Sequence, residues 1–248
     1  MISAIDHDTT THTASGILHE SADKLATVSS TPRLDAELIV SHVTGLSRTR
    51  LFGWPETPVT GEHVKQIALL VEDRLTGKPL AYLLGTQEFW SLPFKVTPAT
   101  LVPRPETELL VEAALGIIPK NRPCRVADLG TGSGIIATVI SLERPASTVF
   151  ACDKSIAALN VARHNMKTNG AKGVHLWAGN WLEAVGGQFD VIVSNPPYIS
   201  YEEASLCSPE TRHEPESALF AENHGLSDIE TIIYQAENHL ANNGWLLF

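Results

Sequence analysis

Four consecutive residues, Asn195-Pro196-Pro197-Tyr198, follow almost directly on the apolar run Val191–Val193. Two prolines in a row cannot extend a central strand or enter a helix interior. One reading is a proline-stiffened turn. The other is chemical. Both prolines lack an N–H and have a fixed φ, so the segment presents carbonyls without competing donors. Asn195 Oδ1 and the Pro196 carbonyl would then be two acceptors aimed at a planar NH2 group, with Tyr198 as a flat face beside it. Such a cradle suits an amide or an exocyclic amine.

A second candidate is the loop Gly130-Thr131-Gly132-Ser133-Gly134, between the strand-like RVADL and the helix-like IIATVISLE. Its glycines let the chain turn tightly and let a ligand approach the backbone. The spacing is GxGxG rather than the GxGxxG of dinucleotide oxidoreductases; a plain tight turn is the alternative. Asp153 ends the next strand-like run, FACD, 19 residues after Gly134. A carboxylate there can accept both hydroxyls of a ribose, or it can cap the following helix. The loop holds no Lys or Arg, which fits a nucleoside without phosphates. Asn180 and Trp181 follow the third strand-like run, where Trp181 either lines a site or belongs to the core.

These residues need a frame. From Pro123 onward, strand-like and helix-like segments alternate, which predicts an α/β fold with a parallel sheet covered by helices on both faces. Ligands of such sheets sit outside the carboxyl ends of the strands, and every candidate falls at one of those ends. The pattern predicts a last helix over residues 227–244 and a strand beginning at Trp245. Up to Leu84 it is helical. One helix carries Leu34, Leu38 and Val43 near one face and closes at Gly45. A second carries Val64, Ile67, Leu70, Val71 and Leu75. Between the two regions lies a proline-cut connector with hairpin character, so the expected division is residues 1–84, a connector 85–103, and a catalytic domain 104–248.

Composition narrows the function. The 248 residues are 43% hydrophobic and 19% charged, a globular profile. A net charge of −10 argues against a broad nucleic-acid-binding surface. Cys124, Cys152 and Cys207 are scattered and the ten histidines dispersed, so no metal site is expected. No apolar run is long enough for a membrane helix. The opening MISAIDHDTTTHTASG reads as a polar frayed tail rather than a signal peptide, and a reduced cytoplasmic setting is expected.

GTGSG, Asp153 and Asn-Pro-Pro-Tyr together resemble class I S-adenosylmethionine-dependent methyltransferases acting on planar nitrogens. More closely, the chain resembles the release factor glutamine methyltransferases. RLDAELIVSHVTG, FWSLPFKVTPATLVPRPETE, NPPYIS, RHEPESAL and GLSDIETII carry that likeness from about residue 33 onward. The resemblance implies a Rossmann-like methyltransferase sheet with a small N-terminal helical domain that docks the protein substrate. It also implies S-adenosyl-L-methionine as cofactor and class-1 peptide chain release factors as partners, methylated on the glutamine N5 of their Gly-Gly-Gln motif. Nucleic acid and membrane partners are not expected. Carried over, the cofactor site falls on Gly130, Thr131, Gly132, Ser133, Gly134, Asp153, Asn180, Trp181 and Asn195. The catalytic residues would be Asn195, Pro196 and Tyr198. The substrate site falls on Asn195, Pro196, Pro197 and Tyr198, with Arg104 and Glu106 near its entrance.

The chain departs from the family in two places. Asn180 stands where the family usually has Asp, which implies weaker cofactor binding. Relatives also continue beyond the position of Phe248 into an antiparallel hairpin, so the sheet edge at WLLF is expected to be open and the fold less stable. Two rival readings are an adenine-N6 or other planar-amine nucleic-acid methyltransferase and a non-catalytic cofactor-binding fragment.

Overall fold

The computed structural model describes residues 12–248, which divide into two compact units between Leu84 and Gly85. In the first, β1 (His12–Thr13) pairs with β2 (Pro58–Val59) beside helices α1 (Ala14–Leu25), α2 (Pro32–Thr44), α3 (Arg48–Gly53), α4 (Gly61–Leu75) and α5 (Leu80–Leu84). Hydroxyl caps start three of them: Thr13, Ser47 and Thr60 each accept from a backbone N–H of the first turn. Of the expected polar tail, residues 1–11 lie outside the described residues. His12–Gly16 correct it: they form β1 and the first turn of α1, with Ala14 fully buried.

The inward face of α2 keeps Val43 against the core as expected but differs in its first turn and its centre. Leu34 is 38% exposed, while Ala36, Ile39 and Val40 are fully buried with Asp35 and Glu37 beside them. Arginines make those acids tolerable inside. Arg74 Nε donates to Asp35 at 3.0 Å, and Glu37 accepts from Arg33 and Arg48 at 2.9 and 2.8 Å. Hydropathy alone misplaces this face because paired charges behave as core residues.

The second unit opens with the hairpin β3 (Thr86–Phe89) and β4 (Leu92–Lys95). Its two-residue loop, Trp90-Ser91, has φ of 54° and 58°, as a type I′ turn requires, although neither residue is glycine. The Trp90 N–H donates to Glu108 Oε1 at 2.9 Å, which holds that strained tip. After α6 (Thr107–Ile117) come β5 (Arg125–Leu129), α7 (Ile135–Glu143), β6 (Thr148–Asp153), α8 (Ile156–Thr168), β7 (Val174–Ala178) and β8 (Phe189–Ser194). A short parallel pair, β9 (Ile199–Ser200) and β10 (Phe220–Ala221), the helix Ser227–Ala236 and β11 (Leu240–Leu247) complete it.

The main sheet is parallel, in the order β11-β8-β5-β6-β7. The period-2 alternation of buried strands divides its apolar residues between two cores. Val126, Val149, Val191 and Val193 pack toward α6, α7 and the hairpin; Ala127, Leu129, Cys152 and Ile192 pack toward Trp181 and Ile232. Because the chain runs β5-β6-β7 to one side and returns to β8 on the other, the strand order reverses beside β5, between it and β8. The crevice there lies at the carboxyl ends of β5, β6 and β8.

The last helix is shorter than expected, ending at Ala236, and β11 starts at Leu240 rather than Trp245. Leu240 pairs with Phe189 and Trp245 with Val191, so the register breaks between them. The extra residues form a bulge in which Asn243 has φ 62°, a conformation asparagine tolerates. β11 pairs with β8 on one flank, and no other described strand pairs with it.

Candidate active site

Each wall of the crevice begins with the end of a strand. Asp128, in β5, is fully buried, and its Oδ2 accepts from Thr131 Oγ1 at 2.6 Å and from the Ala137 N–H at 3.1 Å. It thereby ties the glycine loop to the first turn of α7. Its Oδ1 is buried without a partner. The loop glycines Gly130, Gly132 and Gly134 have φ of 70°, 55° and 80°. At Gly130 the close approach matters as well as the φ. A Cβ there would lie 3.0 Å from Cζ3 of Trp181, so the indole rests on bare backbone.

The end of β6 braces the same loop. Asp153 Oδ2 accepts from the Gly132 N–H at 2.9 Å and Oδ1 from the Ser155 N–H at 2.8 Å. The cap of α8 is Ser155, whose hydroxyl accepts from the Ala158 N–H. Asp153 is therefore not that cap; it joins the loop to the end of β6 and keeps lone pairs facing the crevice. A third brace comes from Asn165 of α8, almost fully buried. Its amide bonds both the N–H and the carbonyl of Lys95 and also the Ser133 carbonyl. Asn165 thus couples the hairpin to the loop.

At the end of β8, Ser194 Oγ donates to the Leu129 carbonyl at 2.7 Å and holds that strand end against β5. Pro196 and Pro197 are buried, Asn195 is half-buried, and Tyr198 is 63% exposed. Asn195 Nδ2 donates to Thr107 Oγ1 at 3.3 Å, leaving Oδ1 as a free acceptor. From behind, the turn Asn223-His224-Gly225, all at positive φ, presses on the tetrapeptide. A Cβ on Gly225 would lie 2.2 Å from the Tyr198 carbonyl oxygen, a separation no side chain can occupy.

These parts surround a cavity of about 280 Å3 lined by Gly130–Ser133, Asp153, Asn180, Trp181, Asn195, Pro196, Pro197 and Arg104. Gly134, Glu106 and Tyr198 do not line it. Glu106 and Tyr198 line a second, more open cavity of about 880 Å3. The two share Leu101, Arg104, Thr107, Asn195, Pro196 and Ala218, so the start of the tetrapeptide is part of the wall between them. Trp181 is both core and lining: it is 6% exposed and belongs to the cluster around Leu129 and Ile192. Asn180 is exposed, and its Nδ2 donates to Glu183 Oε1 at 2.8 Å, so its Oδ1 is left to accept.

Arg104 stands at the junction of the cavities, held by Glu214. The Glu214 side chain is fully buried, and its oxygens accept from Arg104 Nη2 at 2.5 Å and from the Val102 N–H at 3.0 Å. Sequence reasoning did not single out Glu214, Asp128, Asn165 or Thr107. Asp128 left a local signal, an acid among the apolar Val126, Ala127 and Leu129, and Thr107 and Glu214 lie in the PRPETE and RHEPESAL segments that carry the resemblance. Among the described residues no group of three or more His, Cys, Asp or Glu could hold a metal ion, and no helix is long and apolar enough to cross a membrane.

Burial pushes the Asp128 carboxyl up from 3.8 to about 7, only partly opposed by its hydrogen bonds from Thr131 and Ala137. A carboxyl whose pKa is raised on folding stabilises the fold fully below its unfolded value, and that contribution is lost as pH rises through the folded value. Each unit of pH in that window costs up to about 1.4 kcal/mol. The advantage in melting temperature of the ligand-free wild type over Asp128→Asn should therefore shrink between pH 4.5 and pH 7. An advantage that stays constant or grows over that range would contradict the raised value.

Residues 106–208 match the family model described as the methyltransferase small domain, and residues 17–85 match that of the PrmC N-terminal domain. The chain is 47% identical over 227 residues to a release factor glutamine methyltransferase of Coxiella burnetii (strain RSA 493 / Nine Mile phase I), covering 91% of this chain and 81% of that protein. It is 44% identical over 220 residues to the protein of the same name from Escherichia coli (strain K12), covering 88% and 79% respectively. Against that of Salmonella typhimurium (strain LT2) it is 44% identical over 231 residues, covering 93% and 83%.

Proposed function

The chain belongs to the family of release factor glutamine methyltransferases, and from that premise we propose the following reaction. It methylates the N5 side-chain nitrogen of the glutamine in the Gly-Gly-Gln motif of class-1 peptide chain release factors, with S-adenosylmethionine as donor. The observation that carries this reading is the wall of Asn195 and Pro196 between two cavities. Asn195 Oδ1, left open by the bond from Nδ2 to Thr107, is an acceptor for an amide NH2 arriving from the larger cavity.

The smaller cavity fits the methyl donor. Asp153 keeps a lone pair on each oxygen for the two ribose hydroxyls after accepting two backbone N–H groups. Trp181 and Asn180 offer an apolar surface and an acceptor at the far wall, suited to a purine and its amino group. Asp153, and Asp128 when ionised behind the loop, give this end a negative potential that favours a cationic ligand. Gly130–Ser133 bring bare backbone to the same place. When bound, S-adenosylmethionine supplies a methyl group on a positively charged sulfur, an electrophile that needs no further activation.

The residues of the chain then have one task, which is alignment. An amide nitrogen is a poor nucleophile because its lone pair is delocalised into the carbonyl. Asn195 Oδ1 and the Pro196 carbonyl fix the NH2 plane and turn the nitrogen toward the smaller cavity. Positioning of this kind supplies about 7–11 kcal/mol in favourable cases. As positive charge develops on the nitrogen, the same acceptors bind it more strongly than in the ground state. The proton leaves afterwards to water.

Family membership also supports a docking role for residues 1–84. That unit exposes Phe52 and Trp54, with Arg33 and Arg50 placed over their rings at 5.7 and 5.8 Å. Aromatic residues and arginines of this kind anchor protein interfaces. A cytoplasmic setting, where release factors act, is part of the same proposal. The test is mass spectrometry of a release factor incubated with the protein and S-adenosylmethionine. One added methyl on the Gly-Gly-Gln glutamine is the expected result. An unmodified factor, or methyl transfer to nucleic acid instead, would overturn the reading.

A further inference from the structure

Asn195 has a problem of orientation. Its side-chain amide carries an oxygen and an NH2 of nearly equal size, and only the oxygen can receive an NH2 substrate. Turned over, the amide would set donor against donor and the cradle would lose half of its acceptors. Something must therefore choose between the two orientations. The side-chain hydrogen bond the structure gives Asn195 is the one from Nδ2 to Thr107 Oγ1.

We infer that Thr107 is the positioning residue that turns the Asn195 carboxamide so that its oxygen faces the substrate; this rests on the function proposed above. Thr107 is the first residue of α6 and 5% exposed, and it lines both cavities. Its hydroxyl oxygen accepts from Nδ2, so the amide NH2 is occupied and Oδ1 keeps all its acceptor capacity. In the reverse orientation the same hydroxyl would donate to Oδ1, and the amide NH2 would face the substrate NH2, donor against donor.

The threonine is itself held. Its N–H donates to the Arg104 carbonyl at 3.0 Å, and Arg104 is clamped through its guanidinium by the buried Glu214. Glu214 also takes the Val102 N–H, so the chain entering α6 is fixed at two points. Behind Thr107, Val111 and Ala114 of the same helix are fully buried in the core. The PRPETE and RHEPES segments thus form one chain of support, from Glu214 through Arg104 and Thr107 to the acceptor. A group held on rigid elements by its neighbours stays within the narrow geometry that catalysis needs.

Two substitutions at one position separate orientation from packing. Thr107→Val keeps the shape and removes the oxygen; Thr107→Ser keeps the oxygen and removes a methyl. Thr107→Val should lower kcat on a release factor about ten- to a hundredfold, the scale for losing a group that orients a functional residue. The S-adenosylmethionine Kd should not move, and Thr107→Ser should recover most of the loss. In an Asn195→Ala background Thr107→Val should have no further effect, because the threonine acts through that asparagine. A second readout needs no turnover. The Asn195 side-chain NH2 resonance in nitrogen-15-labelled protein should shift or broaden in Thr107→Val and stay near the wild-type position in Thr107→Ser. An unchanged resonance in Thr107→Val overturns the inference whatever the enzyme methylates. So does an equal kcat loss with and without Asn195, or a loss that serine fails to restore.

Discussion

Asn195→Ala is expected to reduce kcat about 10²–10³-fold, the scale of losing one preorganised polar group. The cradle has two acceptors, and only this one belongs to a side chain. Alanine removes the Oδ1 proposed to hold the substrate NH2, while the Pro196 carbonyl and both prolines stay in place. S-adenosylmethionine affinity should fall much less, because the glycine loop, Asp153 and Trp181 line most of the cavity proposed for the cofactor. The protein should remain folded, since Ser194 anchors the end of β8 to Leu129 and Gly225 supports the tetrapeptide from behind. Single-turnover kinetics with saturating release factor and cofactor, beside calorimetry of cofactor binding, makes the measurement. Near-normal turnover would remove Asn195 from the reaction and leave the tetrapeptide as a stiff turn.

Asp153→Ala should weaken S-adenosylmethionine binding by about 1.5–3 kcal/mol, the range for hydrogen bonds to a charged group, or about 10–150-fold in Kd. The structure gives two sources for that loss. One is the acceptors offered to the ribose. The other lies within the protein: Asp153 receives the Gly132 and Ser155 N–H groups, so alanine also loosens the loop against β6. Asp153→Asn separates them. It retains one oxygen and the shape, so it should fall between wild type and alanine. The KM for the release factor should stay nearly constant, since Asp153 lines the smaller cavity and not the larger. An unchanged cofactor Kd in the alanine variant would reduce Asp153 to a brace for the loop.

The parts of this site that were legible in the sequence are those encoded by local spacing. Gly130, Gly132 and Gly134 announce a turn, Asp153 closes a strand-like run, and consecutive prolines rule out strand and helix together. Repeated strand-helix alternation then places each of them at a strand end. What stayed hidden depends on contacts between distant segments. Asn195 and Thr107 are 88 positions apart, and Arg104 and Glu214 are 110 apart. No periodicity marks such pairs. The inward acids of α2 escaped because hydropathy reads charge as exposed, whereas arginine partners make burial affordable. The early start of β11 escaped because its asparagines argue for a loop, and only pairing with β8 reveals a bulged strand. Tyr198, expected beside the substrate amide, lines the larger cavity and not the smaller one.

The position of β5 between β8 and β6 sets a timetable for synthesis. A ribosome releases β5, β6 and β7 in sequence, and these can pair as they emerge. The other flank of β5 must wait until residues 189–194 have been made, on the order of several seconds at about 5–20 residues per second. Until then it presents unpaired N–H and C=O groups beside a strand rich in apolar side chains, a template for intermolecular pairing. The nascent chain is thus most exposed to aggregation in the interval before β8 arrives, and nascent chains arrested just short of Phe189 should be the ones most in need of a chaperone.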